Sequence, residues 1–286
     1  MPVAHLTDRA ILTVTGTDAE HFLQNLVTVD LSALKEGRTL PGALLAPQGK
    51  ILFDFLVSKT ADGAFRLECR ADVADDFVRR LMLYRLRAKV DLAARPAPVA
   101  VIWIDDKNSS QKPQGLEDGR FAGMVARRYD PPLPEADTTT SGWNAYRIAH
   151  GIAESGADYA LGDAFPHDVL LDQVSGVGFQ KGCYIGQEVV SRMQHRGTAR
   201  RRVLIAHGET PLPASGAEIS TGGRAIGVLG SVSGDKGLAV VRIDRVKDAL
   251  DRGDPILAAG VPVVLTIPDW ATFTYPRSAD AETGGA

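Results

Sequence analysis

Short apolar runs recur at roughly even spacing through the last third of the chain, and turns rich in Gly, Pro and Ser separate them. The runs are Val203–Ala206, Ala225–Val232, Leu238–Ile243 and Val261–Ile267. Several short strands at regular spacing are typical of a small closed or sandwiched sheet. Residues 199–275 are therefore predicted to form a small all-β barrel or sandwich, followed by a disordered polar tail at 276–286.

The first half of the chain mixes strand and helix patterns. The runs that predict strands are Ala10–Val14, Ile51–Val57, Phe65–Cys69, Ala88–Leu92 and Val99–Ile104, the second and third forming a hairpin. Helical spacing predicts one helix after Thr17, with Glu20 as its capping-box partner, and another over Asp72–Tyr84. A Pro- and Thr-rich loop at 130–142 marks a domain edge before a short helix at Trp143–His150. The fold class is therefore predicted to be α+β.

The composition limits the function classes. The 286 residues include 32 Lys and Arg against 35 Asp and Glu, a formal charge of −3, so no global basic excess points to duplex nucleic acid. The two cysteines are too few for a disulfide scaffold, and Cys69, in an alternating strand, is predicted to be a core residue. With no signal-peptide pattern and no apolar stretch of membrane-spanning length, we expect a cytoplasmic protein without a membrane partner.

The chemistry-bearing part of the chain begins with a Gly-punctuated turn at 181–186. A helix is predicted to follow from about Gly186 to Gln194, and Gly197 ends it. Cys183 would then lie just before a helix N-terminus and close to Lys181, and both positive charges would lower the pKa of its thiol. A nucleophilic Cys183 and a buried, inert one both fit this pattern.

Positive charge is concentrated in and after this turn. The basic residues are Lys181, Arg192, Arg196, Arg200, Arg201 and Arg202, against Glu188 alone. One interpretation is a solvated helix end, and the other is a docking site for an anionic tail such as polyglutamate or phosphate. His195 is predicted to be a cation at the helix C-terminus. No His, Asp, Glu and Cys residues stand at metal-ligand spacing, so we expect no permanent metal site.

A resemblance to a known family rests on several of these stretches. Lys181–Glu188, which reads KGCYIGQE, resembles the signature of the YgfZ-type folate-binding proteins, relatives of the glycine-cleavage T protein, an aminomethyltransferase. Val14–Gln24 resembles the opening of that family, and Pro47–Asp54 resembles its strand start. Tyr84–Val90 and the β-rich C-terminal part also fit, so the resemblance covers roughly residues 5–270.

The resemblance implies a three-lobed, T-protein-like folate-binding fold around a central hole. Its parts would be a split folate-binding domain at 1–48 and 142–198, a ferredoxin-like insertion at 49–141 and a C-terminal β-barrel at 199–275. It also implies tetrahydrofolate, or a derivative, as cofactor. The implied partners are iron–sulfur proteins or their assembly machinery, with tRNA-thiolating enzymes among the clients, and we expect a monomer.

Carried over residue by residue, the resemblance assigns Cys183 as the functional cysteine, with Lys181 as a catalytic neighbour. Redox, cluster contact and nucleophilic chemistry all stay open for this thiol. The residues assigned to cofactor binding are Asp168, Tyr184, Gln187, Glu188, Arg192 and Arg196. Asp168 stands nearest to the acidic residue that hydrogen-bonds the pterin in T proteins, although it is one methylene shorter than Glu, and an N-cap or loop role fits it equally.

The T protein also carries an Asp-Asp pair that includes its catalytic carboxylate. Here Asp54 retains one carboxylate as a candidate acid or base, and Phe53 replaces the other. The missing partner and the cysteine signature argue against aminomethyl transfer to a lipoyl carrier.

Three functions follow from these observations. The first is a tetrahydrofolate-binding protein that supports iron–sulfur cluster assembly or repair through Cys183. The second is a tetrahydrofolate-dependent one-carbon transferase, with Asp54 as its acid or base. The third is an RNA-binding or modifying module that uses the Arg196–Arg202 cluster, although direct nucleic-acid binding is not expected from the overall charge. Whether the protein is an enzyme stays open.

Overall fold

The computed structural model describes residues 1–105 and 109–276, and the chain divides into two compact units. One unit contains Met1–Trp143 and Val174–Gln187, and the other contains Asn144–Gln173 and the chain from Glu188 onward. The domain boundaries expected at 48, 141 and 198 stay a prediction. Of the tail predicted at 276–286, all but Pro276 lies outside the described residues.

The first unit is built on one large sheet. Its strands are β1 (Val3–Leu6), β2 (Arg9–Thr15), β3 (Arg38–Leu45), β4 (Ile51–Lys59), β5 (Phe65–Arg70), β6 (Asp91–Pro96), β7 (Val99–Trp103), β8 (Leu116–Asp118) and β9 (Val125–Arg128). In the described part of the unit they lie in the order β1-β7-β9-β8-β3-β4-β5-β2-β6. All neighbours are antiparallel except β3 and β8. The predicted hairpin is confirmed, because β4 and β5 pair from Lys59 opposite Phe65 to Leu56 opposite Glu68.

The helices of this unit are α1 (Ala19–Gln24) and α2 (Ala74–Arg85). Phe77 of α2 stacks on Phe53 and Phe55, with ring centroids 4.8 and 5.6 Å apart. Phe53 and Phe55 lie two residues apart on β4 and so point to the same face of the sheet. Leu81, about one turn after Phe77, is fully buried in the same core. The helix predicted over 72–84 is confirmed, with a 3-10 turn in place of its first residues.

Two local predictions for this unit are wrong. The capping box does not form: Asp18 is the N-cap of α1, and its Oδ2 accepts from the backbone N–H of Lys89 at 2.7 Å. The strand expected at 88–92 begins instead at Asp91, because pairing with β2 sets its register from Thr15 opposite Asp91 onward. β6 ends at Pro96, which an edge strand tolerates because no neighbour needs its missing N–H.

The second unit contains a closed barrel. Its strands are β10 (Arg201–Gly208), β11 (Glu218–Thr221), β12 (Arg224–Ser233), β13 (Lys236–Arg242), β14 (Ile256–Ala258) and β15 (Val261–Thr266), ordered β10-β13-β12-β11-β14-β15. The remaining α-helices among the described residues are α3 (Thr140–Ala149), α4 (Gln187–Arg196) and α5 (Ile243–Arg252). The barrel prediction is confirmed, but the sequence pattern missed α5, which buries Ile243, Val246 and Ala249 in the barrel core. Across the described ranges, every helix is too short or too polar to span a bilayer.

Candidate functional site

The segment that leads to Cys183 is tied to the first unit through Thr28. The Thr28 side chain is fully buried, and its hydroxyl donates to the carbonyl oxygen of Gly176 at 2.6 Å. The backbone N–H of Gly178 donates to the Thr28 carbonyl oxygen at 2.8 Å, and the Ala43 N–H donates to the Thr28 hydroxyl at 2.9 Å. One threonine therefore joins the segment at 176–178 to strand β3.

Lys181 continues this attachment. Its Nζ donates to the carbonyl oxygens of Val27 and Val29, both at 2.8 Å, and lies 5.3 Å from the centre of the Tyr184 ring. Burial lowers the pKa of the Lys181 ammonium to about 8, although the nearby Asp30 carboxylate acts in the opposite direction. The Lys181 ammonium, which the sequence predicts beside the Cys183 thiol, is thus hydrogen-bonded to backbone carbonyl groups. Lys181 thereby holds the loop in place.

Gly186 fixes the other end of the loop. Its φ is +78°, a conformation that side chains with a Cβ rarely adopt. A Cβ at this position would lie 2.6 Å from the Ala46 carbonyl oxygen and 3.1 Å from the Gly49 Cα, in the turn between β3 and β4. Tyr184 is buried, which raises its pKa to about 12, and its N–H lies 3.4 Å from the Gln187 Oε1. The loop from Lys181 to Gln187 is therefore anchored at both ends.

Between these anchors, Cys183 is an exposed, free thiol. Helix α4 begins at Gln187, one residue after the predicted start, so Cys183 precedes the helix as predicted, separated from its first residue by Tyr184, Ile185 and Gly186. Cys69 is the opposite case, as predicted: it is buried in the core, and burial raises its pKa to about 12. Of the two cysteines, Cys183 is the one available to a partner.

Asp54 lies on β4 and is half-buried. Phe53, its neighbour, points into the core and stacks on Phe77 of α2. Alternation along the strand therefore places Asp54 on the face away from this aromatic core. Where the T protein has the other aspartate of its pair, this chain therefore has the phenyl ring of Phe53, packed in the core.

Asp168 is a buried carboxylate of the second unit. Burial raises the pKa of Asp168 to about 6. The backbone N–H of Phe165, which donates to its Oδ2 at 3.1 Å, acts in the opposite direction. The Arg201 Nε lies 4.0 Å from the same oxygen. A carboxylate has about four lone-pair sites, so acceptor capacity remains after these two contacts.

The basic residues of the second unit are mostly paired. Arg192 and Glu188 form an ion pair one turn apart on α4. Arg201 lies 3.4 Å from the Asp163 carboxylate. Arg202 is buried, and its Nη1 donates to the Asp172 carboxylate at 2.6 Å. Because Arg202 is inside the fold, the basic patch expected from sequence is smaller than predicted.

Arg196 and Arg200 form no ion pair with the residues that the structure describes, and of the two Arg196 is the exposed one. It is the last residue of α4, and Gly197 follows with φ +61°. The N–H of Thr198 donates to the Met193 carbonyl oxygen at 3.2 Å, which closes the helix as a Schellman motif. The predicted end of the helix at Gly197 is confirmed, and His195 lies in its last turn as expected.

A buried charge network in the first unit was not predicted. The Arg127 guanidinium donates to Glu68 Oε1 at 2.6 Å and to Asp118 Oδ2 at 3.1 Å, and Tyr129 donates to Glu68 Oε2 at 2.8 Å. Burial raises the pKa of Asp118, but Arg120 and Arg127 outweigh it and hold that pKa at about 2. Glu68 stands 59 residues before Arg127 and 61 before Tyr129, so only the tertiary fold brings them together.

An open cavity of about 750 Å³ lies beside this network, at the tip of the β4–β5 hairpin. Three of its cations already have acidic partners: Lys59 pairs with Glu20 at 2.8 Å, Arg66 with Asp130 at 3.1 Å, and Arg127 with Glu68. Its positive charge is therefore largely compensated. Across the described ranges, no three His, Cys, Asp or Glu side chains are grouped so that they could hold a metal ion.

Comparison with known proteins identifies the fold first. The aminomethyltransferase T of the glycine cleavage system from Bartonella henselae has a solved structure that matches with a TM-score of 0.71 at 16% identity, over 94% of this chain and 86% of that one. Family models described as the GCVT N-terminal domain and the CAF17 C-terminal beta-barrel domain match residues 4–105 and 200–273. The predicted class is confirmed: a T-protein-like fold of mixed helices and strands with a closed C-terminal barrel.

The sequence relatives then identify the family. The mitochondrial iron–sulfur cluster assembly factor IBA57 of Mus musculus is 31% identical over 305 residues, covering 93% of this chain and 84% of the relative. The factor of the same name from Homo sapiens is 29% identical over 302 residues, with the same coverage. The chain belongs to the IBA57 family.

These relatives correct one prediction. Their names place them in mitochondria, which contradicts the cytoplasmic location expected from the sequence. That expectation rested on the missing signal-peptide pattern and on the lack of an apolar stretch of membrane-spanning length. Neither observation distinguishes between compartments that keep thiols reduced.

Proposed function

We propose that this protein supports iron–sulfur cluster assembly, and that the exposed Cys183 thiol is the group that contacts the cluster or its carrier. The observation that carries the proposal is the free, exposed Cys183 on a loop anchored at both ends, in a chain of the IBA57 family. Thiolates are the usual ligands of iron in such clusters. An anchored loop presents the thiol in a defined position, as a ligand must be presented.

One thiolate does not hold a cluster alone, because clusters normally take four protein ligands. The described residues contain no group of three potential ligands, and Cys69 is buried away from solvent. The remaining ligands would therefore come from a partner that carries the cluster. We also propose that the enzymes which depend on these clusters include tRNA-thiolating enzymes.

Tetrahydrofolate binding, as in the YgfZ-type proteins that the sequence resembles, is part of the proposal. Asp168 fits the pterin ring, because it is a buried carboxylate with acceptor capacity left over and a pterin edge offers paired N–H donors. Arg196, exposed and without an ion pair in the described part of the unit, would attract the anionic tail together with Arg192. Tyr184 and Gln187 belong to the first unit, and their role in cofactor binding stays a prediction from the sequence. When bound, tetrahydrofolate carries one-carbon units.

The test of the thiol is complementation of a deletion strain, read as the activity of cluster-dependent enzymes. Cys183→Ser is expected to leave that activity at the level of the deletion strain. Gln180→Ala, an exposed neighbour in the same segment, is the matched control and should restore activity as wild type does. Full rescue by Cys183→Ser would overturn the role of the thiol, and no rescue by wild type would overturn the function itself.

The test of the cofactor is calorimetric titration with tetrahydrofolate and its polyglutamyl form. Asp168→Asn is expected to weaken binding at least about tenfold, since the amide offers the pterin a donor where it needs an acceptor. Arg196→Ala should weaken the polyglutamyl form selectively. The absence of heat with wild type would remove folate from the proposal and leave the Cys183 test untouched.

No observation favours the two alternatives over this proposal. A one-carbon transferase would depend on Asp54 alone, because Phe53 fills the second position with a core side chain. An RNA-binding module would lack Arg202, which is buried and paired with Asp172. Both stay predictions from the sequence.

A further inference from the structure

The C-terminal end of α2 exposes an unusual amount of apolar surface. Met82, Leu83 and Leu86 are 42%, 68% and 89% exposed. Scattered single apolar residues are normal on a protein surface, whereas a cluster marks an interaction site. Here three large apolar side chains lie within one helical turn and the residue that follows it.

Leu86 has a strained backbone in the turn that ends α2, where the Ala88 N–H donates to the Arg85 carbonyl oxygen at 2.7 Å. Leu86 follows the last residue of α2 with φ 45° and ψ −108°, where a glycine would normally stand. Holding a residue with a Cβ in this region costs on the order of 1–3 kcal/mol. The side chain recovers little of this through packing, since most of it is in solvent. A selective advantage for leucine here would come from a contact outside this chain.

The charges around this cluster have one sign. From residue 77 to 90 the sequence contains Arg79, Arg80, Arg85, Arg87 and Lys89 and no acidic residue. Arg79 pairs with Asp76, and Arg85 lies 3.6 Å from the Asp91 carboxylate. Arg80, Arg87 and Lys89 are exposed and form no ion pair within 1–105 and 109–276. The surface is therefore apolar at its centre and positive at its rim.

The composition of the surface around Met82, Leu83 and Leu86 favours a protein over a membrane as the binding partner. Met and Arg are enriched in protein interfaces and Lys is depleted, and four of the five cations here are Arg. A helix that lies on a bilayer places a continuous apolar face in it. The apolar face of α2, with Phe77 and Leu81, is instead packed in the core, and only the cluster at its end is exposed.

We propose that Met82, Leu83 and Leu86 form a docking surface for a partner protein, which receives them in an apolar pocket rimmed by carboxylates. Arg80 and Arg87 meet those carboxylates and steer the encounter. The proposal goes beyond the role in cluster assembly and does not depend on Cys183 or on folate.

The test begins with a photo-crosslinking residue at position 83 of the full chain in cells, with position 250 as the reference. Leu250 is also an exposed leucine on a helix, 53% exposed on α5. The protein that crosslinks from position 83 and not from 250 is purified and titrated with the full chain. Leu83→Ser/Leu86→Gly and Arg80→Glu/Arg87→Glu are each expected to weaken binding at least about tenfold, and Leu250→Ser less than about twofold.

Added salt should weaken wild-type binding more than binding by the charge-reversed variant. Leu83→Ser/Leu86→Gly is expected to melt at the wild-type temperature or above, since glycine removes the strain and Leu83 is mostly exposed, so its loss of binding is not a loss of fold. The proposal is overturned if no protein crosslinks from position 83 alone, or if both double variants bind as wild type does. It is also overturned if the chain binds vesicles of phosphatidylserine and phosphatidylcholine and Arg80→Glu/Arg87→Glu abolishes that binding instead.

Discussion

The Lys181 ammonium donates to the carbonyl oxygen of Val29 at 2.8 Å, across 152 residues of sequence. Together with its bond to Val27, this contact attaches the loop that carries Cys183 to the opening part of the first unit. The lysine of the signature therefore holds the backbone on which the thiol is displayed, and its catalytic role stays a prediction.

Replacing Lys181 with Met should destabilise the first unit by about 2–4 kcal/mol. The change removes two hydrogen bonds from a charged donor and leaves the carbonyl groups of Val27 and Val29 without that donor. Urea denaturation of the full chain measures the loss. A change below about 0.5 kcal/mol would show that water replaces the ammonium at no cost.

The same residue makes stability depend on pH. The pKa of Lys181 is lowered from 10.5 to about 8 by burial, so between these values the unfolded chain holds a proton that the native state has lost. The contribution of this group to stability is then lost as pH falls through 8 and recovered as pH rises towards 10.5. The difference in unfolding free energy between wild type and Lys181→Met should grow by up to about 3 kcal/mol over this range. A flat difference curve would contradict the lowered pKa.

Gly186→Ala should destabilise the protein by more than a positive φ alone explains. Its Cβ would lie 2.6 Å from the Ala46 carbonyl oxygen, and Gly63, with φ +84° and open space around it, is the matched control. We expect about 1 kcal/mol for Gly63→Ala and at least about 3 kcal/mol for Gly186→Ala. Gly182→Ala, in the same loop with open space, should stay near wild type. Equal losses at positions 63 and 186 would refute the close approach.

Arg127→Met should cost about 3–5 kcal/mol, because it leaves two buried carboxylates, those of Glu68 and Asp118, without their shared cation. The control is Arg79→Met on α2, which breaks an exposed ion pair with Asp76 and should change stability by less than about 0.5 kcal/mol. Thermal and urea unfolding measure both variants. Similar small losses for the two would indicate that the buried network is hydrated.

Asp168→Asn should make the protein more stable at neutral pH. The pKa of Asp168 is raised by burial from 3.8 to about 6, so its contribution to stability is present below pH 3.8 and lost as pH rises through 6. The amide carries no charge and can still accept from the Phe165 N–H. We expect its advantage over wild type to grow by up to about 3 kcal/mol between pH 4 and 7. Denaturation curves that keep a constant separation over this range would contradict the raised pKa.

Much of the fold could be predicted from local patterns. The β4–β5 hairpin follows from two alternating runs around a Gly-containing turn, and the barrel follows from the evenly spaced short runs after Val203. The sequence pattern predicts the start of the edge strand β6 three residues too early, because the register of β6 is set by β2, about 80 residues upstream. The sequence pattern misses helix α5, since only its first residue, Ile243, falls in a predicted run, and that run forms the preceding strand.

The sequence predicted a candidate site, but it could not predict the geometry of that site. The signature identified the residues from Lys181 to Glu188, yet nothing in it indicates that the ammonium binds two carbonyl groups rather than the thiolate. Thr28, which ties the loop to β3, stands in an apolar run without any motif. Such contacts join positions about 150 residues apart, and local periodicity carries no information about them.

The large sequence separation of the contacts around Thr28 also affects the order in which parts of the protein fold. The bonds from Thr28 to Gly176 and from Lys181 to Val27 span 148 and 154 residues, and the whole of Asn144–Gln173 lies between their ends. Contacts over such sequence distances form after the local ones. During translation they can form only once the later of the two residues has left the ribosome. The cysteine loop is therefore among the last parts of the first unit to mature, so a nascent chain does not display its thiol in the native position.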